Sequence, residues 1–203
     1  MPEGEAPAEG TLERAAAMLA RWRDPGGTVR VVAIDGHGAS GKSTIAGRLS
    51  ALTGAALVHT DDFFSPAPAL PPGGGGRDLG SYYDVPRLRW EALEPLRAGR
   101  EASYRPYDWD AGTLAEECTH VAPAALVILE GVYSASPALS DLVDKAVYVR
   151  TPEPERLRRL RRLIAPEDWD EDWLRAEAGY FAVTRPMASF DLVVRGGRGG
   201  AGD

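Results

Sequence analysis

Apolar positions along the chain alternate between two rhythms. From Thr11 to Arg23 they fall at helical spacing (Leu12, Ala15, Ala16, Leu19, Trp22), and Pro25-Gly26-Gly27 closes the segment, so a helix is predicted there. Val29-Arg30-Val31-Val32-Ala33-Ile34 is a short β-branched run of the kind a buried strand needs. Residues 41–52 read as helical and stop near Gly54. Further strands are predicted at Ala56–Thr60, Ala125–Leu129, Lys145–Val149 and Phe190–Val194. Asp84-Val85-Pro86, followed by Leu88, Trp90, Leu93 and Leu96, predicts a capped helix. Pro154–Ile164 and Pro166–Val183 are predicted helices as well. The Pro- and Gly-rich stretch Phe64–Gly80, which includes Gly73–Gly76, predicts a mobile loop, and residues 1–10 a frayed tail.

Short apolar strands alternating with helices predict an α/β fold of three layers, with helices flanking a mostly parallel five-stranded sheet. Ligands of such sheets bind at the carboxyl ends of the strands, so chemically loaded residues are sought there. The expected organisation is a tail and helix over 1–27, one domain over 28–196, and a disordered tail over 197–203.

Composition narrows the function classes. The chain has 203 residues, 44% hydrophobic and 26% charged, with a formal net charge of −7. That balance argues against a nucleic acid polymer as partner, because backbone phosphates are held by clustered Lys and Arg. Cys118 is the single cysteine, so no intramolecular disulfide can form and a reducing compartment is favoured. The acidic start MPEGEAPAEG has neither the basic end nor the apolar run of a signal peptide. No apolar stretch approaches the roughly 18–20 residues of a membrane span. A cytoplasmic protein without a membrane partner is expected; oligomeric state is left open.

Gly36-His37-Gly38-Ala39-Ser40-Gly41-Lys42-Ser43 matches the phosphate-loop pattern G-x-x-x-x-G-K-[ST], between a predicted strand and a predicted helix. Glycines let the backbone curl so that N–H groups converge on phosphate oxygens, and the helix start adds partial positive charge. Lys42 then bridges the β- and γ-phosphates of ATP, and Ser43 ligates Mg²⁺. This predicts a P-loop NTPase fold. Thr60-Asp61-Asp62-Phe63-Phe64 follows the second strand, where a carboxylate faces the loop and can accept the proton of an attacking hydroxyl or orient it. Glu130 ends a strand too apolar to hold a carboxylate without a partner, and Mg²⁺ is the expected one.

Gly36–Thr44, Asp61-Asp62-Phe63-Phe64, Tyr83-Asp84, Tyr107-Asp108-Trp109 and Glu130-Gly131 together resemble the uridine kinase family of P-loop kinases, which also includes nicotinamide riboside and pantothenate kinases. The resemblance spans roughly residues 29–195. It implies transfer of the γ-phosphoryl group of ATP, with Mg²⁺, to a nucleoside-like hydroxyl acceptor. It implies Asp61 as catalytic base and metal neighbour, Phe64 against the acceptor, Asp84 on the ribose hydroxyls, and Tyr107 and Trp109 on the base. Asp84 is also good helix-cap chemistry. The nucleotide side takes Gly36, Gly38, Ala39, Ser40, Gly41, Lys42, Ser43 and Thr44. In Arg156-Leu157-Arg158-Arg159-Leu160-Arg161-Arg162, which resembles the family's lid helix (about 156–172), Arg159 aligns best and Arg162 second. Several of the other arginines are expected to pair with the acids of 167–172. Where the family carries a base-reading His, this chain has Gly112, a departure that leaves the acceptor's base open.

Overall fold

The computed structural model describes residues 8–24, 26–65, 78–165 and 170–196. The rest of the predicted N-terminal tail, most of the Pro/Gly loop, the start of the helix predicted from Pro166 and the tail after Gly196 lie outside the described residues. The strands are β1 (Ala8–Gly10), β2 (Arg30–Asp35), β3 (Ala56–His59), β4 (Ala102–Tyr104), β5 (Tyr107–Asp108), β6 (Thr113–Leu114), β7 (Thr119–Val121), β8 (Leu126–Glu130), β9 (Lys145–Arg150) and β10 (Leu192–Arg195). The main sheet runs β1-β10-β9-β2-β8-β3 and every pair in it is parallel. Small antiparallel pairs β4–β7 and β5–β6 stand beside it.

The five predicted strands form that sheet, with one addition. Ala8–Gly10, read from the sequence as frayed tail, pairs in parallel with Leu192–Val194 at the sheet edge. Ala-Glu-Gly has no alternating apolar pattern; edge pairing needs only backbone donors and acceptors, which leave no trace in side-chain chemistry.

Helices α1 (Leu12–Trp22) and α2 (Lys42–Thr53) cover one face of the sheet. Val32 and Ile34 point to that face and pack with Leu19, Ile45 and Leu49. Their neighbours Val31 and Ala33 point the other way, Val31 toward Leu88, Leu93 and Leu96, Ala33 toward Tyr82, Tyr148 and Phe181. Both sides of β2 are therefore buried, which is why residues 31–34 are apolar throughout. The second face is covered by Val85–Arg87, the π-helical Leu88–Leu93 and Glu94–Arg97 in succession, and by Glu171–Gly179 continuing into Tyr180–Thr184. No helix among the described residues is long and apolar enough to cross a membrane.

Register aligns the carboxyl ends of the strands. Ile34 and His59 both stand opposite Glu130, so the segments leaving β2, β3 and β8 share one rim. Gly131 makes the closest approach there. Its φ is +137°, and an added Cβ would lie 1.8 Å from Thr60 Oγ1. Thr60 Oγ1 itself donates to the Val132 carbonyl. Gly131→Ala is expected to destabilise the fold by about 2–4 kcal/mol through backbone strain and overlap. An unchanged thermal midpoint would refute the contact.

Candidate active site

The segment from Gly36 to Ser43 is shaped by its backbone. Gly36 has φ +147°, and a Cβ there would sit 2.6 Å from the Val149 carbonyl, so the chain leaves β2 pressed against β9. Ala39 and Gly41 also take positive φ, 60° and 90°, curling the loop. α2 begins with Gly41 as its N-cap, no side-chain cap and no acidic residue in its first turn. Its first N–H groups and partial positive charge thus remain available to an anion. The Thr151 hydroxyl donates to the Ser40 carbonyl at 2.7 Å and fixes the back of the loop. Lys42, largely buried, donates from Nζ to the His37 carbonyl at 3.0 Å, while Ser43 and Thr44 are exposed. These features fit a polyphosphate.

Glu130 is 4% exposed and held from two sides: Ser43 Oγ donates to its Oε1 at 3.0 Å, and His59 Nδ1 lies 2.7 Å from its Oε2. The hydrogen bond to Glu130 raises the His59 pKa against the opposing effect of burial. Among the described residues no cluster of three or more His, Cys, Asp or Glu is spaced to hold a metal. Ser43 and Glu130 form a hard oxygen pair that fits Mg²⁺ sharing its coordination with phosphate and water oxygens.

Asp61 lies in the short 3₁₀ turn Thr60–Phe63 that follows β3. Its side chain is accessible to solvent although surrounding protein desolvates its carboxylate, and no hydrogen bond engages that carboxylate among the described residues. Desolvation holds its pKa above the ordinary aspartate value; Lys42 and His59 pull it down, and Glu130 and Asp62 push it up. The neighbouring Asp62 is committed elsewhere, accepting the Tyr104 hydroxyl at 2.9 Å. The structure thus brings Lys42, Ser43, Glu130 and Asp61 to one rim.

Beyond Asp61 the wall is aromatic. Phe64 lies 4.5 Å from Trp109 and 5.1 Å from Tyr107, centroid to centroid, and Tyr107 and Trp109 meet edge to face. Trp109 remains 59% exposed. Gly112, at φ +68°, closes the β5–β6 turn, with the Tyr107 hydroxyl 3.9 Å from where its Cβ would be. His120 is away from these rings, exposed and paired with Glu101 at 3.2 Å. Asp84 serves as a helix cap, accepting the Arg87 amide at 3.0 Å.

The arginine helix Glu153–Leu163 meets the loop region through Arg156 and Arg159. Arg159 Nη1 is 3.3 Å from the Cβ position of Gly41, and its Nε donates to Glu155 at 2.9 Å. Arg162 is exposed, in the last turn of the helix. The second arginine at the loop is instead Arg156, one turn earlier, 3.8 Å from Glu177. Within the helix, Arg158 and Arg159 pair with Glu155 and hold its pKa down to about 2, at helical spacing. Residues 167–169 lie outside the described residues. A cavity of about 670 Å³ opens between Thr151, Pro152, Glu155, Arg159, Arg195 and Gly196, beside Ser40 and Gly41.

Asp35 and Glu177 were not singled out from the sequence, and Tyr83 was named only within the Tyr83-Asp84 motif. Asp35 is fully buried at the end of β2, where it accepts the amides of Gly36, Tyr133 and Ala135 and the Tyr180 hydroxyl. Burial raises its pKa to about 6 against those bonds. It ties the phosphate loop to the segment after β8. The signal was available, since an acid ending an apolar strand was what singled out Glu130. Tyr83, buried and stacked on Tyr133 at 5.6 Å, has its pKa raised far by burial and then by Asp61, Asp35, Glu177 and Glu130. Glu177 accepts the Gly38 amide at 2.6 Å and stands 3.0 Å from His37 Nδ1. Burial pushes its pKa up, but His37, the Gly38 amide and Lys42 outweigh that and hold it low.

Known proteins carry the same architecture. No family model matches the chain. A uridine kinase of Borrelia duttonii (strain Ly) is 24% identical over 189 residues, covering 82% of this chain and 86% of its own. Among solved structures, one described as a "possible uridine kinase" from Bacillus stearothermophilus superposes with a TM-score of 0.67 at 20% identity, over 90% of this chain and 96% of the other. A D-glycerate 3-kinase from Cryptococcus neoformans superposes at TM-score 0.60 and 15% identity, over 94% and 97%.

Proposed function

We propose that this chain, a uridine kinase-like P-loop kinase by sequence and fold, transfers the γ-phosphoryl group of ATP to a hydroxyl of a small nucleoside-like acceptor. One observation carries the reading: Lys42, Ser43, Glu130 and Asp61 share a rim, and an aromatic wall adjoins it. The loop amides and Lys42 hold the polyphosphate, with the arginine helix as a lid that brings Arg159 over it. Ser43 and Glu130 support Mg²⁺, which neutralises phosphate charge. Asp61 orients the acceptor hydroxyl and takes its proton as the oxygen bonds to the γ-phosphorus and the bond to the β-phosphate breaks, releasing ADP. The cavity lined by Thr151, Pro152, Arg159 and Gly196 would take the nucleoside part of ATP.

The acceptor's ring packs on Phe64, Tyr107 and Trp109, whose flat faces suit a base. Gly112 itself offers no side chain to read a base. An acceptor panel read by ADP release tests this. Nucleosides should stimulate turnover, and Trp109→Ala should raise KM for ring-bearing acceptors about tenfold, the loss of one stacking face. ADP release that no acceptor stimulates would make the chain an NTPase instead; stimulation by ringless alcohols alone would move it toward glycerate-type acceptors.

A further inference from the structure

The helix Glu171–Gly179 sits directly on the phosphate loop. Trp173 Cη2 and Glu177 Oε1 are each 3.4 Å from the Cβ position of Gly38. Glu177, 2% exposed, places one carboxylate oxygen on the Gly38 amide and the other beside His37 Nδ1, whose ring packs on Phe181 at 4.3 Å. Lys42 meanwhile is turned onto the His37 carbonyl. A carboxylate therefore occupies a loop whose free amides and helix start are built for oxyanions. Next to it, Arg156 Nη1 is buried without a hydrogen-bond partner among the described residues, 3.8 Å from Glu177 Oε2. A buried guanidinium nitrogen left short of a bond by so small a gap calls for an explanation, and an oxyanion that arrives in another state supplies one.

We propose that Glu177 is a positioning residue that holds the Gly38 amide until a polyphosphate enters the loop, and that the polyphosphate displaces it from that amide onto Arg156. The proposal rests on the loop being the nucleotide site. Like charges a few ångströms apart in a partly desolvated cleft repel strongly, so the carboxylate and a terminal phosphate cannot share the Gly38 amide. The shift closes the gap to Arg156 and satisfies its buried nitrogen. Because Arg156 belongs to the arginine helix and Glu177 to the helix after it, the exchange links occupation of the loop to the fit of both helices over it. A polyphosphate tail, rather than a single phosphate, is what this arrangement senses.

The test is binding by calorimetry of tripolyphosphate, ATP and AMP to the full chain and to Glu177→Gln, which keeps the shape and removes the charge. Tripolyphosphate and ATP should bind roughly fivefold more tightly to the variant and AMP less than twofold, since the effect follows ligand charge near the loop. Arg156→Gln should weaken ATP binding in the wild-type background and do so less in Glu177→Gln, the coupling expected of exchanging partners. Unchanged or weaker polyphosphate binding in a variant with a wild-type melting midpoint overturns the proposal and leaves the kinase reading standing. If Glu177→Gln does not fold, the wild-type Gly38 amide decides by NMR: it should shift with tripolyphosphate and not with AMP, and a Gly38 signal that stays still while Lys42 responds overturns the proposal. Failure of the wild type to bind ATP or tripolyphosphate overturns the kinase reading together with this one.

Discussion

Lys42→Ala should reduce phosphoryl transfer by about a thousandfold or more, since it removes a fixed positive charge from where transition-state charge develops. The fold should survive. In the protein alone Lys42 contributes one hydrogen bond, to the His37 carbonyl, and the cores on either side of the sheet do not depend on it. A loss of roughly 1 kcal/mol at most is expected from that bond. Removing Lys42 also takes away the cation that lowers the pKa of Asp61, so the remaining carboxyl should protonate at still higher pH. ADP release, with a thermal melt on the same sample, checks both halves. Turnover near the wild-type rate in a folded variant would mean that the loop's lysine does not face the transferred group.

Which parts were legible in the sequence follows from how each is encoded. The sheet was, because the central residues of β2, β8 and β9 are buried on both faces and form apolar runs. The phosphate loop was, because its glycines are demanded locally: positive φ at Gly41 and the 2.6 Å approach of Gly36 to Val149 leave no room for choice. Glu130 was legible as a charge in an apolar strand. β1 was not, since backbone pairing at an edge leaves no side-chain code. Glu177 was not, because it lies on an amphipathic helix among other acids, and only the fold brings it to Gly38 across 139 positions of sequence. The same limit explains the lid arginines. Helical spacing shows which arginines share a face, but which end of the helix lies over the loop depends on docking, and that favoured Arg156 over Arg162.

Asp61→Asn should leave ATP binding intact and lower turnover by about a hundred- to ten-thousandfold, the range of a lost general base. Asn can still hold the acceptor hydroxyl through its amide oxygen but cannot take its proton, so the deficit should fall on kcat more than on KM. The pH profile separates this role from a structural one. Desolvation holds the Asp61 pKa above the ordinary aspartate range, with Glu130 and Asp62 adding to it and Lys42 and His59 opposing. Its working form is the carboxylate, so turnover should fall as pH drops through that elevated range, starting at higher pH than an unperturbed aspartate would give. In Asp61→Asn this limb should vanish from whatever activity remains. Asp62, spoken for by the Tyr104 hydroxyl, is the control: Asp62→Asn keeps an acceptor for that bond and should retain the limb. If the limb persists in Asp61→Asn and disappears in Asp62→Asn, the proton goes to Asp62, and the hydrogen bond from Tyr104 has to open before the acceptor can be engaged.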